Sequence, residues 1–174
     1  PITLNYKGEF IVAEKIWIGN DHGGYDLKVK IVEVLKEKGI EVTDVGCDGT
    51  QKVKYPVYAS KVAKAVQSGK ADRGILICST GIGMSIIANK YKGIRASLCT
   101  SAHMGYMTRA HNDSNILCLG AKITGEWEAM QILENWLLSM ADGHGGIRSI
   151  DKENTSGLVD TYRITLADNT TFDF

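Results

Sequence analysis

The sequence predicts a doubly wound α/β domain, and three observations carry that prediction. From residue 15 onward, short apolar runs alternate with segments of helical period, the rhythm of strands and crossover helices in an open parallel sheet. The run Arg73–Cys78 (RGILIC) is almost continuously apolar, as a strand covered by helices on both faces must be. Three strand-flanking turns are rich in glycine or polar residues, and such a sheet binds ligands beyond the carboxyl ends of its strands.

Taken in order, Pro1–Glu14 reads as a small hairpin, with Ile2, Leu4 and Tyr6 alternating, a turn at Lys7-Gly8, and a return over Phe10–Ala13. Lys15–Asn20 is the first strand of the main unit. The helix after it carries Leu27, Ile31, Val34 and Leu35 on one face and stops at Gly39. Ile40–Val45 is the next strand, and Tyr55–Gln67 a helix that buries Ala59, Val62, Ala63 and Val66. After Arg73–Cys78, Gly81–Tyr91 forms a third helix on Met84, Ile87, Ala88 and Tyr91. Ile94–Cys99, a helix over about 102–110, and Asn115–Leu119 follow, then a long helix over about 124–140. Residues 161–174 (TYRITL, then TTFDF about Asp168-Asn169) read as a second hairpin. The expected organisation is an N-terminal extension over 1–14, a main domain over 15–154 and a C-terminal extension over 155–174.

Composition narrows the function. The 174 residues amount to about 1.2 typical domains, enough to bury a core without disulfides or metal. With 44% hydrophobic residues and two prolines the chain is not disordered. Twenty basic residues balance twenty acidic ones, which argues against coating a nucleic acid or an anionic membrane. No apolar run reaches the ~18 residues of a membrane span. Pro1–Phe10 lacks the pattern of a signal peptide. Cys47, Cys78, Cys99 and Cys118 form no CxxC pair, so they read as thiols, and the expected location is the cytoplasm.

Three segments hold the chemistry. In Asp21-His22-Gly23-Gly24, two glycines let a ligand approach a helix start, where the dipole favours anions; equally, Asp21 is a helix cap and His22 a loop histidine. Cys78-Ser79-Thr80-Gly81-Ile82-Gly83 forms a glycine-bearing loop whose amides suit a phosphate or a developing oxyanion. There Cys78 is either a small buried hydrophobe, as most isolated cysteines are, or a thiolate that takes a proton. This loop is not a dinucleotide fingerprint, since Ile86 stands at the third glycine position, and no Walker lysine is present. In Arg109-Ala110-His111-Asn112-Asp113-Ser114-Asn115, His111 either moves protons near neutral pH or satisfies a helix C-terminus. His22, His103, His111 and His144 show no metal-ligand spacing.

Taken together, DHGG, DVG, YPVYA, ILICSTGIGMSIIANK, GIRASLC and RAHNDSNILCLGAK closely resemble the ribose-5-phosphate isomerase B family, which includes the galactose-6-phosphate isomerase subunits, over residues 15 to about 152. The resemblance implies a Rossmann-like αβα sandwich on a five-stranded parallel sheet. It also implies a homodimer whose sites draw on both chains, with pairing of dimers into a tetramer left open. The implied reaction is aldose–ketose conversion of a sugar phosphate through an enediolate, without cofactor or metal. By position, Cys78 is the base, Thr80 with the amides around Gly81 and Gly83 stabilises the enediolate, and His111 aided by Asp21 opens the ring. Asn112 contacts a substrate oxygen, His22, Lys122 and Arg148 bind phosphate, and Tyr55 lines the pocket. Two departures stand out: Ser79 replaces a usual glycine, and His144 a usual arginine, which weakens bidentate phosphate binding. Ribose 5-phosphate is the expected substrate. A six-carbon phosphate (allose or galactose 6-phosphate) and a catalytically silent phosphosugar-binding protein are the alternatives. The apolar stripe Trp127, Met130, Leu133, Trp136 and Leu137 suggests a subunit interface.

Overall fold

The computed structural model describes residues 2–4, 10–12, 14–139, 147–154, 161–166 and 169–173. The elements run β1 (Ile2–Leu4), β2 (Phe10–Val12), β3 (Lys15–Asn20), a 3-10 turn at His22–Gly24, α1 (Tyr25–Glu37) and β4 (Glu41–Asp44). They continue as α2 (Tyr55–Gln67), β5 (Arg73–Cys78), α3 (Ile82–Ala88), β6 (Ala96–Leu98), α4 (Ala102–Ala110), β7 (Ile116–Gly120) and α5 (Glu126–Leu138). β8 (Ile147–Asn154), β9 (Thr161–Leu166) and β10 (Thr171–Asp173) close the chain.

The central sheet is five-stranded and parallel, in the order β4-β3-β5-β7-β6. Alternate residues of β5 face opposite sides. Ile75 and Ile77 join Leu27, Ile31, Leu35, Ile132, Leu133 and Trp136 under α1 and α5. Leu76 and Cys78 join Ala59, Val62, Ala63, Met84 and Ala88 under α2 and α3. Burying both faces explains why β5 reads as an unbroken apolar run. From β3 the chain moves first to β4 on one side and then to β5 on the other. A crevice therefore opens between the carboxyl ends of β3 and β5, the switch point of the topology.

The main differences from expectation have local causes. The third helix ends at Ala88 rather than Tyr91 because the Asn89 side chain leaves the helical path. Its amide donates to the Ala96 carbonyl and its oxygen accepts the Ala96 N–H, both at 2.8 Å. Leu133 and Trp136 of the expected interface stripe are buried in the protein's own core, Met130 and Leu137 pack against it, and Trp127 alone of the five stands exposed. A helix of mixed polarity packed on a sheet needs its apolar face for that sheet first.

At the flanks, β1 pairs antiparallel with β2, Ile2 opposite Val12, and β9 with β10, Thr165 opposite Thr171. β8, which has no counterpart in the sequence reading, pairs antiparallel with β9, so hydrogen bonding crosses the expected division at residue 154. Among the described residues, no helix is long and apolar enough to cross a membrane.

Candidate active site

The crevice at the carboxyl edge is built largely from backbone. After β3, the Asp21 N–H donates to Ile77 O at 3.1 Å, tying the turn to β5. The Asp21 carboxylate accepts the Gly23 N–H at 2.9 Å and is buried. Asp21 is therefore a cap, one of the two readings its sequence position allows, and the cap holds it at the crevice. His22 Nδ1 accepts the Val53 N–H at 3.3 Å. In the neutral ring the proton then sits on Nε2. Nothing in the sequence around Val53 signals this anchor, because any residue but proline supplies the same amide.

Cys78 ends β5 and is 6% exposed. Its sulfur accepts the Gly81 N–H at 3.0 Å, so a backbone dipole points its positive end at the sulfur. Gly81 makes this possible with φ +77°, and a Cβ there would lie 2.5 Å from Leu98 Cδ1. The Gly81 amide, expected among the groups facing an oxyanion, is thus spent on the thiol. Thr80 is exposed; its Oγ1 accepts the Ile82 N–H at 3.3 Å, leaving the hydroxyl hydrogen to donate outward. The Tyr55 ring roofs the loop so closely that a Cβ on Gly83 would come within 2.7 Å of it. The other thiols are differently placed. Burial pushes Cys99 up to about 12 and drives Cys118 higher than its ordinary value, the neighbouring thiols adding to the effect. Cys47 is engaged with Asn20 Nδ2 and Gly49 O.

Two further contacts knit the crevice. A Cβ on Gly23 would come within 2.2 Å of Ser79 Oγ, so the Ser79 side chain occupies the space over that glycine. Beyond β7, Ala121 N–H donates to Cys78 O at 2.9 Å and Lys122 N–H to Ser79 O at 3.0 Å, placing the exposed Lys122 beside the loop. One edge thus gathers Asp21, His22, Tyr55, Cys78, Thr80, Gly81, Gly83 and Lys122.

His111 and Asn112 lie at the other edge. His111 caps the C-terminus of α4, five residues before Ile116, which pairs with Gly74, whereas Cys78 pairs with Gly120. Four strand steps of ~3.3 Å separate these levels, about 13 Å along the sheet. Strand register thus sets the start of β7, just after His111 and Asn112, at a different level from Cys78, and Asn112 lines a pocket with Leu98, Cys99 and Met104. The backbone of Arg148 lies in β8, and His144 lies outside the described residues.

Comparison with known proteins gives a consistent picture. The family model described as Ribose/Galactose Isomerase matches residues 16–152. Ribose-5-phosphate isomerase B of Escherichia coli is 45% identical over 130 residues, 75% of this chain and 87% of that protein. A D-erythrulose-4-phosphate isomerase of Pectobacterium atrosepticum is 40% identical over 138 residues, 79% of this chain and 91% of that one. The solved structure of Clostridium thermocellum ribose-5-phosphate isomerase B superposes with a TM-score of 0.73 at 52% identity, covering 74% of this chain and 87% of that chain.

Proposed function

This chain belongs to the ribose/galactose isomerase family, and on that premise we propose that it interconverts ribose 5-phosphate and ribulose 5-phosphate. The observation that carries the reading is the Cys78 sulfur at the switch-point crevice, with a backbone amide directed at it and the Thr80 hydroxyl two residues away. Cys78 as thiolate removes the C2 proton of the open-chain aldose. The electron pair passes through the C1–C2 bond to the carbonyl oxygen, and Thr80 donates to the negative charge that forms there. Cys78 then returns the proton to C1 while the O2 proton moves to O1, leaving the ketose. Ring opening precedes this step: His111 protonates the ring oxygen as its bond to C1 breaks, and Asp21 takes the C1 hydroxyl proton. Asn112 holds a sugar oxygen, and His22, Lys122 and Arg148 bind the phosphate, with His144 as a weaker fourth group.

His111 and Asn112 sit at the far edge of their own sheet, so the site is assembled from two copies, each lending these residues to the other's Cys78. Ile82 and Ile86 on α3 and Met104 and Tyr106 on α4 are exposed apolar side chains available to such a contact. The dimer works in the cytoplasm, where Cys78 stays reduced. Incubation in D2O with ribose, allose and galactose phosphates, followed by NMR, tests the reaction: ketose formation with deuterium entry is expected from ribose 5-phosphate. Binding without turnover of any of the three would establish a phosphosugar-binding protein instead.

A further inference from the structure

Three helices end at the amino edge of the sheet in a left-handed residue or close to one, and they do not end alike. α1 closes with Gly39 N–H on Lys36 O and Ile40 N–H on Leu35 O, at 2.9 and 3.0 Å, and α2 repeats that spacing with Gly69 on Val66 and Lys70 on Ala65. Both glycines have φ +74°. α4 closes one residue wider: Asp113 N–H reaches Arg109 O at 3.1 Å and Ser114 N–H reaches Thr108 O at 3.0 Å. The residue in the left-handed region is Asp113, at φ +45°, where glycine would be the unstrained choice. The extra residue falls in the segment that carries His111 and Asn112.

What holds the wide turn is a pair of arginines. Arg95 donates to Asp113 Oδ2 at 3.1 Å and to the Asp113 carbonyl at 2.8 Å. Arg109 donates to Asp113 Oδ1 at 2.9 Å and to Ser114 O at 2.6 Å. Both guanidiniums are mostly buried, so these are bonds of the kind that fix geometry rather than solvated surface pairs. Burial and the nearby Arg73 push the Arg109 guanidinium down from its ordinary value, and Asp113 opposes them. A left-handed aspartate is disfavoured relative to glycine, and two charge-assisted contacts offset that preference.

We infer that Asp113, clamped between Arg95 and Arg109, is a positioning residue that sets the direction in which His111 and Asn112 are presented to the partner copy. The inference rests on the reading of His111 as a site residue. Asp113→Asn and Asp113→Gly both accept a positive φ and both lose the carboxylate's ion pairs with the two arginines, so they separate the carboxylate from the backbone requirement. The decisive measurement is kcat/KM for Asp113→Asn, His111→Ala and the double variant, with melting temperatures alongside. Asp113→Asn is expected to lower kcat/KM about tenfold in the parent and less than twofold on the His111→Ala background, a non-additivity that general destabilisation does not produce. An equal loss on both backgrounds, or no loss in either Asp113 variant, overturns the role of Asp113. His111→Ala at the parental rate overturns instead the reading of His111 on which it rests.

Discussion

At the carboxyl edge, Cys78, Thr80 and the Asp21 turn are held by main-chain hydrogen bonds and by glycines that admit close neighbours, Gly23 under Ser79 and Gly81 beside Cys78. At the amino edge, His111 and Asn112 ride on a turn held by the ion pairs of Asp113 with Arg95 and Arg109. Cys78 thus sits in a cradle whose dimensions follow from the sheet itself. The turn that carries His111 is held by side chains outside the sheet. Under the proposed two-copy site, the first half lies within one protomer and the second serves its partner. In the proposed reaction the proton-transfer step, which demands the closest placement, falls to the cradle.

The division breaks most sharply at Cys78. Cys78→Ala is expected to lower kcat by at least ~100-fold, the loss of a positioned general base, with the melting temperature little changed; a near-parental rate removes Cys78 from the mechanism. A mixing experiment tests whether the edges serve each other. Cys78→Ala and His111→Ala, each crippled alone, form mixed dimers after joint refolding, half of all dimers at random assortment, each with one intact site. Activity is expected to return to about a quarter of the parental level, and no recovery would place both residues in one protomer's site.

Smaller effects test the cradle itself. Gly23→Ala forces a Cβ against Ser79 Oγ and is expected to cost about tenfold in kcat/KM, the scale of a misplaced catalytic group. Adding Ser79→Gly removes the obstructing hydroxyl and is expected to restore most of the loss; no restoration would mean that Gly23 matters for another reason. The mildest effect contrasts the thiols. Cys99 is held neutral by burial up to about 12, above its unfolded value of roughly 8.5. Its contribution to stability is full below that unfolded value and is lost as pH rises toward 12. The urea midpoint should fall over that window, and Cys99→Ala should remove part of the fall.

How far residues spoke for themselves varies along the chain. β3, α2 and β5 begin and end where periodicity places them, because hydrophobic alternation and helical spacing are local properties. The early end of α3 was hidden, since it depends on Asn89 meeting Ala96 seven residues later. β8 was hidden for the same kind of reason: a strand half polar in sequence acquires its identity from the partner beside it. In the site, DHGG and CSTGIG announce themselves through glycine and reactive side chains at strand ends. The Arg95–Asp113–Arg109 clamp does not, because arginine and aspartate are ordinary surface residues until a fold brings them together.

By itself, then, the sequence determined the alternation of strands and helices and the family, both of which reside in local pattern and short motifs. Only the tertiary structure decided which groups share an edge. It set Cys78, Thr80, His22 and Lys122 together and His111 apart, because strand order and crossover direction place residues adjacent in motif space at opposite ends of one sheet. It also decided that Asp21 is a cap at the switch-point crevice, and that Trp136 belongs to the core rather than to an interface. Such outcomes follow from packing, which no single segment specifies.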